Sequence, residues 1–173
     1  MLVCVYGNRD YEDTLVEMED IANQCGFCTI AAISAVAEHS IMHQYAAGRP
    51  DFQDSKQLKS YAKSIMTKLQ TAQQVNELKL PGNRPYKKVS AGGLVPKANK
   101  SCVNCGLCAT QCPVSAINKE NLKTADKKKC ISCMRCVNNC PYFARKVNGT
   151  IISIASLAIK KACTVRKECE LFI

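Results

Sequence analysis

Eight of the thirteen cysteines fall in one short stretch and in a repeating order. The first run reads Cys102-Val-Asn-Cys105-Gly-Leu-Cys108-Ala-Thr-Gln-Cys112-Pro113, the second Cys130-Ile-Ser-Cys133-Met-Arg-Cys136-Val-Asn-Asn-Cys140-Pro141. Each cysteine of the second run stands 28 residues after its counterpart, and Pro113/Pro141 and Ala116/Ala144 keep the same offset. This is an internal duplication. Thiolates at i, i+3 and i+6 let one short loop wrap an iron–sulfur cube, with backbone amides turned toward its sulfurs to offset its negative charge. The proline after each fourth cysteine bends the chain away from its own loop, and in two-cluster modules that cysteine serves the other cluster. The predicted ligand sets are therefore Cys102, Cys105, Cys108 and Cys140 for one [4Fe–4S] cluster, and Cys130, Cys133, Cys136 and Cys112 for the other. Crossed ligation would staple together a segment of about 50 residues, too short to bury much core. Structural zinc usually gathers two Cys-x2-Cys knuckles across a longer loop, so three cysteines within seven residues and a second copy fit it poorly. The chemistry these residues predict is one-electron transfer.

The two runs resemble those of the bacterial two-cluster ferredoxins over residues 98–148. The resemblance implies a pseudo-twofold fold of short strands and helices, clusters close enough to exchange electrons, low-potential single-electron steps and sensitivity to oxygen. Many such carriers are acidic, whereas here Lys127, Lys128 and Lys129 lead directly into Cys130. Nearby cations favour the more negative reduced state, so these lysines are expected to raise the potential.

The net charge is +10 and unevenly divided. Residues 1–77 carry 6 basic and 10 acidic side chains, and residues 78–173 carry 18 and 4. The asymmetry fits a two-part chain. No base-stacking aromatics interleave with the lysines, so nucleic acid is not expected; a solvated face or a dock for acidic redox partner proteins is. The longest apolar stretch, Ile151 to Ala158, is broken by serines and falls short of the roughly 20 residues of a membrane span. With no basic, apolar leader at Met1, a reducing cytoplasm is the expected location, where clustered cysteines signify metal or redox chemistry.

Residues 1–78 read as alternating strand and helix. Leu2–Tyr6 is a short apolar strand, followed by a helix from about Tyr11 with Leu15, Met18, Ala22 and Cys25 inward and Gly26 as its cap. A second strand is predicted at Phe27–Ile33, then a loop to Pro50. A second helix starts near Asp54 or Ser55 with Leu58, Ala62, Ile65, Leu69 and Ala72 on one face. The order implies parallel strands. The segment Val3-Cys-Val-Tyr-Gly7-Asn-Arg-Asp-Tyr11 resembles the fourth strand and following loop of a flavodoxin. With the cysteine module behind it and the ending Lys167-Glu-Cys-Glu-Leu-Phe-Ile173, the chain is similar to flavodoxin–ferredoxin fusion proteins. That resemblance implies that Asn8, Arg9, Asp10 and Tyr11 could line a flavin ring. A phosphate-cradling Ser/Thr/Gly loop does not precede Leu2, so FMN is not expected in this chain alone. Without a third-strand neighbour, Leu2–Tyr6 is expected to be an exposed edge open to self-association.

The predicted fold class is α+β: a bacterial 2[4Fe–4S] ferredoxin module at 98–148, preceded by an incomplete flavodoxin-like α/β segment at 1–78. A basic linker would occupy 79–97 and a tail 149–173, with residues 150–162 a short helix or strand holding Ile151, Ile154, Leu157 and Ala158 inward. Cys25 and Cys28 read as small core residues, Cys4 as buried, and Cys163 and Cys169 as spare thiols. His39 and His43 lack an evident third ligand. The expected function is that of an electron carrier without a catalytic site. The alternative is a component of a flavin-linked oxidoreductase whose clusters relay electrons to or from FMN.

Overall fold

A computed structural model describes residues 1–71, 78–88 and 93–173. The chain divides into two compact units, residues 1–88 with 159–173, and residues 89–158.

The first unit is built on a three-stranded sheet of order β1-β2-β5. Strand β1 (Leu2–Tyr6) pairs in parallel with β2 (Ala32–Val36), in register from Leu2↔Ala32 to Tyr6↔Val36. Between them runs α1 (Thr14–Gln24). It ends in a Schellman turn: Gly26 takes φ +81°, its amide donates to Asn23 O, and the Phe27 amide donates to Ala22 O. That exit carries residues 27–30 over the surface, so β2 begins at Ala32 and not at Phe27, and Phe27 is exposed. For the same reason Cys25 and Cys28, expected in the core, are both exposed. Helix α1 itself starts at Thr14, later than expected, because Glu12 adopts φ +46° in the preceding turn.

Every residue of β2 is buried, as a central strand requires. Its alternation sends Ile33 and Ala35 into a cluster with Ile65, Leu58 and Tyr61 of α2 (Phe52–Gln70), and Ala32 into one with Cys4, Leu15 and Met18. The apolar face of α2 thus runs through Leu58, Tyr61 and Ile65. Ala62 and Leu69, expected inward, are exposed, and Ala72 lies outside the described residues. A capping box starts α2 at Phe52: the Asp51 carboxylate accepts from Asp54 N at 3.0 Å and the Asp54 carboxylate from Asp51 N at 2.8 Å.

The third strand was not expected. Residues Glu170–Phe172 (β5), read from the sequence as a tail, pair antiparallel with β2 on the side away from β1. The sheet is therefore mixed. It leaves β1 at an edge, with Val3 41% and Val5 66% exposed.

Residues 78–88 also belong to this unit, whereas the sequence reading placed a linker at 79–97. Arg84 pairs with Asp20 and Glu19, and Tyr86 donates to Asp20. Lys87 pairs with Glu12, and the amides of Asn83 and Lys87 both donate to the Asp13 carboxylate at 2.7 Å. The acids crowding the start of α1 hold this basic strap. Residues 89–92 of the expected linker lie outside the described residues.

The second unit repeats a small motif. Helix α3 (Leu107–Thr110) and helix α4 (Arg135–Asn138) are 28 residues apart and follow left-handed residues, Gly106 at φ +79° and Met134 at φ +58°. Strands β3 (Lys97–Ala98) and β4 (Arg145–Lys146) close the repeat as an antiparallel pair. Helix α5 (Gly149–Thr164) follows, with Asn148 Oδ1 accepting from Thr150 N at its start. Its apolar residues Ile151, Ile154 and Leu157, expected inward, are 52%, 66% and 71% exposed. Among the described residues no helix is long and apolar enough to cross a membrane.

Candidate metal centre

The duplication seen in the cysteines extends to the backbone around them. Left-handed residues Asn104, Gly106 and Ser115 in the first half recur 28 positions on as Ser132, Met134 and Phe143. Alternation of right- and left-handed residues turns successive N–H groups to one side, which is how a loop makes a nest for anionic sulfur. Two such bonds occur at equivalent places: Ala116 N donates to Cys112 Sγ at 3.2 Å and Ala144 N to Cys140 Sγ at 3.3 Å. Burial works against ionisation of Cys140, but the amides of Ala144, Tyr142 and Arg145 outweigh it and hold the thiol below its ordinary value.

The eight thiols line two apolar-walled cavities. One is lined by Cys102, Cys105, Cys108 and Cys140, the other by Cys130, Cys133, Cys136 and Cys112. In each case three cysteines come from one run and the fourth from the other. Apart from cysteine, the walls include Leu107, Leu122 and Pro141 around the first, and Ile117, Val114 and Pro96 around the second. Among the described residues no three His, Cys, Asp or Glu side chains are gathered in a way that could hold a metal ion. Thiols spread around the wall of a cavity suit a multi-iron cluster better than one zinc ion, which draws its four ligands to a single centre. The donor set therefore fits iron–sulfur clusters.

Arg145 is the functional residue that the sequence reading did not single out. It is 2% exposed, and its guanidinium donates to Leu122 O at 2.6 Å, to Pro96 O at 3.0 Å and to Cys108 Sγ at 3.6 Å. The signal was legible: 28 residues earlier stands Ile117, so the repeat breaks there from apolar to cationic.

Lys127, Lys128 and Lys129, expected to influence the cluster held through Cys130, are all exposed.

The candidate flavin residues are in the first unit and do not share one cavity. Arg9, Asp10 and Tyr11 line a shallow groove beside β1, whereas Asn8 faces a separate cavity with Arg49 and Arg166. Asn8 is buried, its amide donating to Cys163 O and Val165 O at 2.8 Å and accepting from Lys167 N at 3.1 Å. Tyr11 donates to Glu170 Oε2 at 2.7 Å and meets the Tyr6 ring edge-on, Asp10 accepts from Glu12 N, and Arg9 pairs with Glu12. His39 and His43 sit in a loop. His39 Nδ1 accepts from Ile41 N and Met42 N, and His43 pairs with Glu38.

No curated protein matches the chain. The family model of the 4Fe–4S dicluster domain matches residues 100–145, which contain all eight cysteines of the two runs. The residues that line the two cavities and those that the family model covers coincide, and residues 100–145 are a 4Fe–4S dicluster ferredoxin domain.

Proposed function

We propose that this chain is a one-electron carrier with two [4Fe–4S] clusters, working in a reducing compartment and exchanging electrons with partner proteins. The observation that carries the proposal is the sorting of the eight thiols into two cavities, each taking three cysteines from one run and one from the other. Cys102, Cys105, Cys108 and Cys140 would hold one cluster, and Cys130, Cys133, Cys136 and Cys112 the other. When bound, each cluster supplies a site that accepts and releases one electron without bond-making. The protein's part is to hold eight thiolates, to keep bulk water from the sulfurs with Leu122, Ile117 and Ala109, and to set the energy of the added charge. The basic excess of residues 78–173 suits an acidic partner, whose encounter it would steer.

The flavin-linked alternative has less support, because the polar groups of Asn8 and Tyr11 are engaged by residues 163–170 of the same chain. The deciding experiment is anaerobic purification followed by iron and acid-labile sulfide analysis, with low-temperature EPR after reduction. The proposal expects about eight of each per chain and spin-coupled S = 1/2 signals. Zinc without labile sulfide would overturn it, and stoichiometric FMN released on denaturation would favour the alternative.

A further inference from the structure

The 28-residue repeat relates cysteine to cysteine, αL residue to αL residue and helix to helix, and then fails at one buried position. Cys108 and Cys136 are counterparts, as are Ile117 and Arg145. Symmetry would therefore set Ile117 beside Cys136 as Arg145 is set beside Cys108. Ile117 does lie in the apolar cluster with Ala109 and Leu122 against which Cys136 packs, and it lines the second cavity. Arg145 lines the first cavity and gives Cys108 Sγ an N–H at 3.6 Å. One half thus offers its third cysteine a hydrocarbon where the other offers a guanidinium.

We propose that Arg145 makes the two clusters energetically inequivalent, and that the cluster held by Cys102, Cys105, Cys108 and Cys140 is the one of higher potential, where the first electron rests. The inference rests on the two-cluster reading above. One electron, delivered by an external one-electron reductant, adds one negative charge to a cluster and its thiolates. Arg145 remains protonated throughout, because a guanidinium does not titrate in this range, so no proton accompanies the electron. A buried cation and an N–H···S bond both stabilise the added charge more than the oxidised state.

Two other charges bear on the comparison. Arg145 also acts on the second cluster's ligand Cys136, where burial pushes the thiol up and the guanidinium pulls against it. That effect lacks a direct hydrogen bond among those of Arg145, which go to Leu122, Pro96 and Cys108. Lys127, Lys128 and Lys129 favour the second cluster, but they are exposed, and water and salt screen them. The buried cation at hydrogen-bond distance outweighs exposed ones. Both potentials are therefore raised by Arg145, and the first cluster's more.

The test compares wild-type protein with Arg145→Met and Arg145→Lys, each assembled anaerobically and checked for iron and labile sulfide before an EPR-monitored redox titration. Loss of the cluster stoichiometry in wild-type protein would overturn the two-cluster reading itself. With eight iron in place, wild type is expected to reduce in two separable one-electron steps. Arg145→Met should lower the upper step and narrow the gap, and Arg145→Lys should restore part of it. An unchanged or wider gap in a loaded Arg145→Met protein refutes the inference. Because Arg145 also bridges Leu122 and Pro96, the variant can fail to assemble, so a second measurement uses wild type alone. In half-reduced protein, proton NMR should place the contact shifts of the added electron on the β-methylenes of Cys102, Cys105, Cys108 and Cys140. Shifts concentrated on Cys130, Cys133, Cys136 and Cys112 would equally refute it.

Discussion

Asn139 Nδ2 donates to Gln111 Oε1 at 2.6 Å, and these two residues are counterparts in the 28-residue repeat. Each stands at the C-terminal end of a four-residue helix, Gln111 after α3 and Asn139 after α4, and each immediately precedes a fourth cysteine. A pair that bonds to its own repeat image lies on the axis relating the halves. Beyond it the chain turns, so that Cys112 joins the cavity of the second run and Cys140 that of the first.

That crossing is separable from local ligation by two double variants. Cys102→Ser with Cys140→Ser removes two ligands from one proposed cluster and should leave the other intact, so iron per chain should fall to about four. Cys130→Ser with Cys140→Ser removes one ligand from each, and both clusters should become labile. Iron analysis and the loss of spin coupling in EPR read the outcome. If each run held its own four-cysteine cluster, the two variants would exchange behaviours.

How much of this was legible in advance depended on how local the cause was. The cysteine sets follow from spacing alone, because a thiolate's reach is a few residues and the duplication prints it twice. Strand β1 was legible for the same reason: Leu2–Tyr6 is a closed apolar run ended by Gly7. Strand β5 was not, because Glu170–Phe172 is too short to carry a period and becomes a strand only by pairing with β2, about 135 residues earlier. The start of β2 was misplaced because an apolar run from Phe27 does not say where a helix exit ends and where pairing with Leu2 begins. The exposed face of α5 reversed expectation because its sequence is apolar on most sides, so periodicity gives no inward direction. Arg145 was overlooked since a lone arginine next to Lys146 reads as solvated surface until its burial is seen.

Gly82 supports the strap of residues 78–88. It adopts φ +139°, which L side chains rarely reach, and a Cβ there would lie 2.5 Å from Val16 Cγ2 and 3.2 Å from Asp13 Cα. Gly82→Ala should destabilise the first unit by about 1–3 kcal/mol, through backbone strain and displacement of the strap from α1. The expected readout is earlier proteolytic cleavage within residues 78–88 and a lower denaturant midpoint, with the cluster spectrum unchanged. Unaltered protease resistance would show that the strap does not depend on this turn.

Asp54 is fully buried and paired with Arg49, itself 8% exposed, through two hydrogen bonds. The Arg49 guanidinium, with the Asp51 amide, holds the Asp54 carboxyl below its ordinary value against the opposing effect of burial. A depressed folded-state value means that the unfolded chain binds the proton first, so this stabilisation is complete above about pH 4 and is lost as the pH falls through the folded value. Asp54→Ala leaves Arg49 buried without its partner and should cost about 3–5 kcal/mol at pH 7. Measured from pH 7 down to pH 3 by denaturant unfolding, wild type should lose stability in that lower window and the variant should show a flatter profile. Parallel profiles would mean that the pair does not govern acid sensitivity.

The five cysteines outside the two runs should divide by exposure. Cys25 and Cys28 are exposed, while Cys4, Cys163 and Cys169 are 5%, 3% and 2% exposed. Burial pushes the Cys4 thiol up to about 11, and it raises Cys163 and Cys169 as well. The thiolate is the nucleophile, so at pH 8 a thiol titrating near 11 is only about 0.1% reactive even before access is considered. Brief iodoacetamide treatment of the folded, cluster-loaded protein under argon should therefore label two positions, and peptide mass spectrometry should locate them at Cys25 and Cys28. Denaturation in the presence of the reagent should then expose the remaining three along with the released cluster ligands. Rapid native labelling of Cys4 or Cys169 would instead show that the β1-β2-β5 sheet opens on the timescale of the reaction, because both side chains are packed against β2 in the closed sheet.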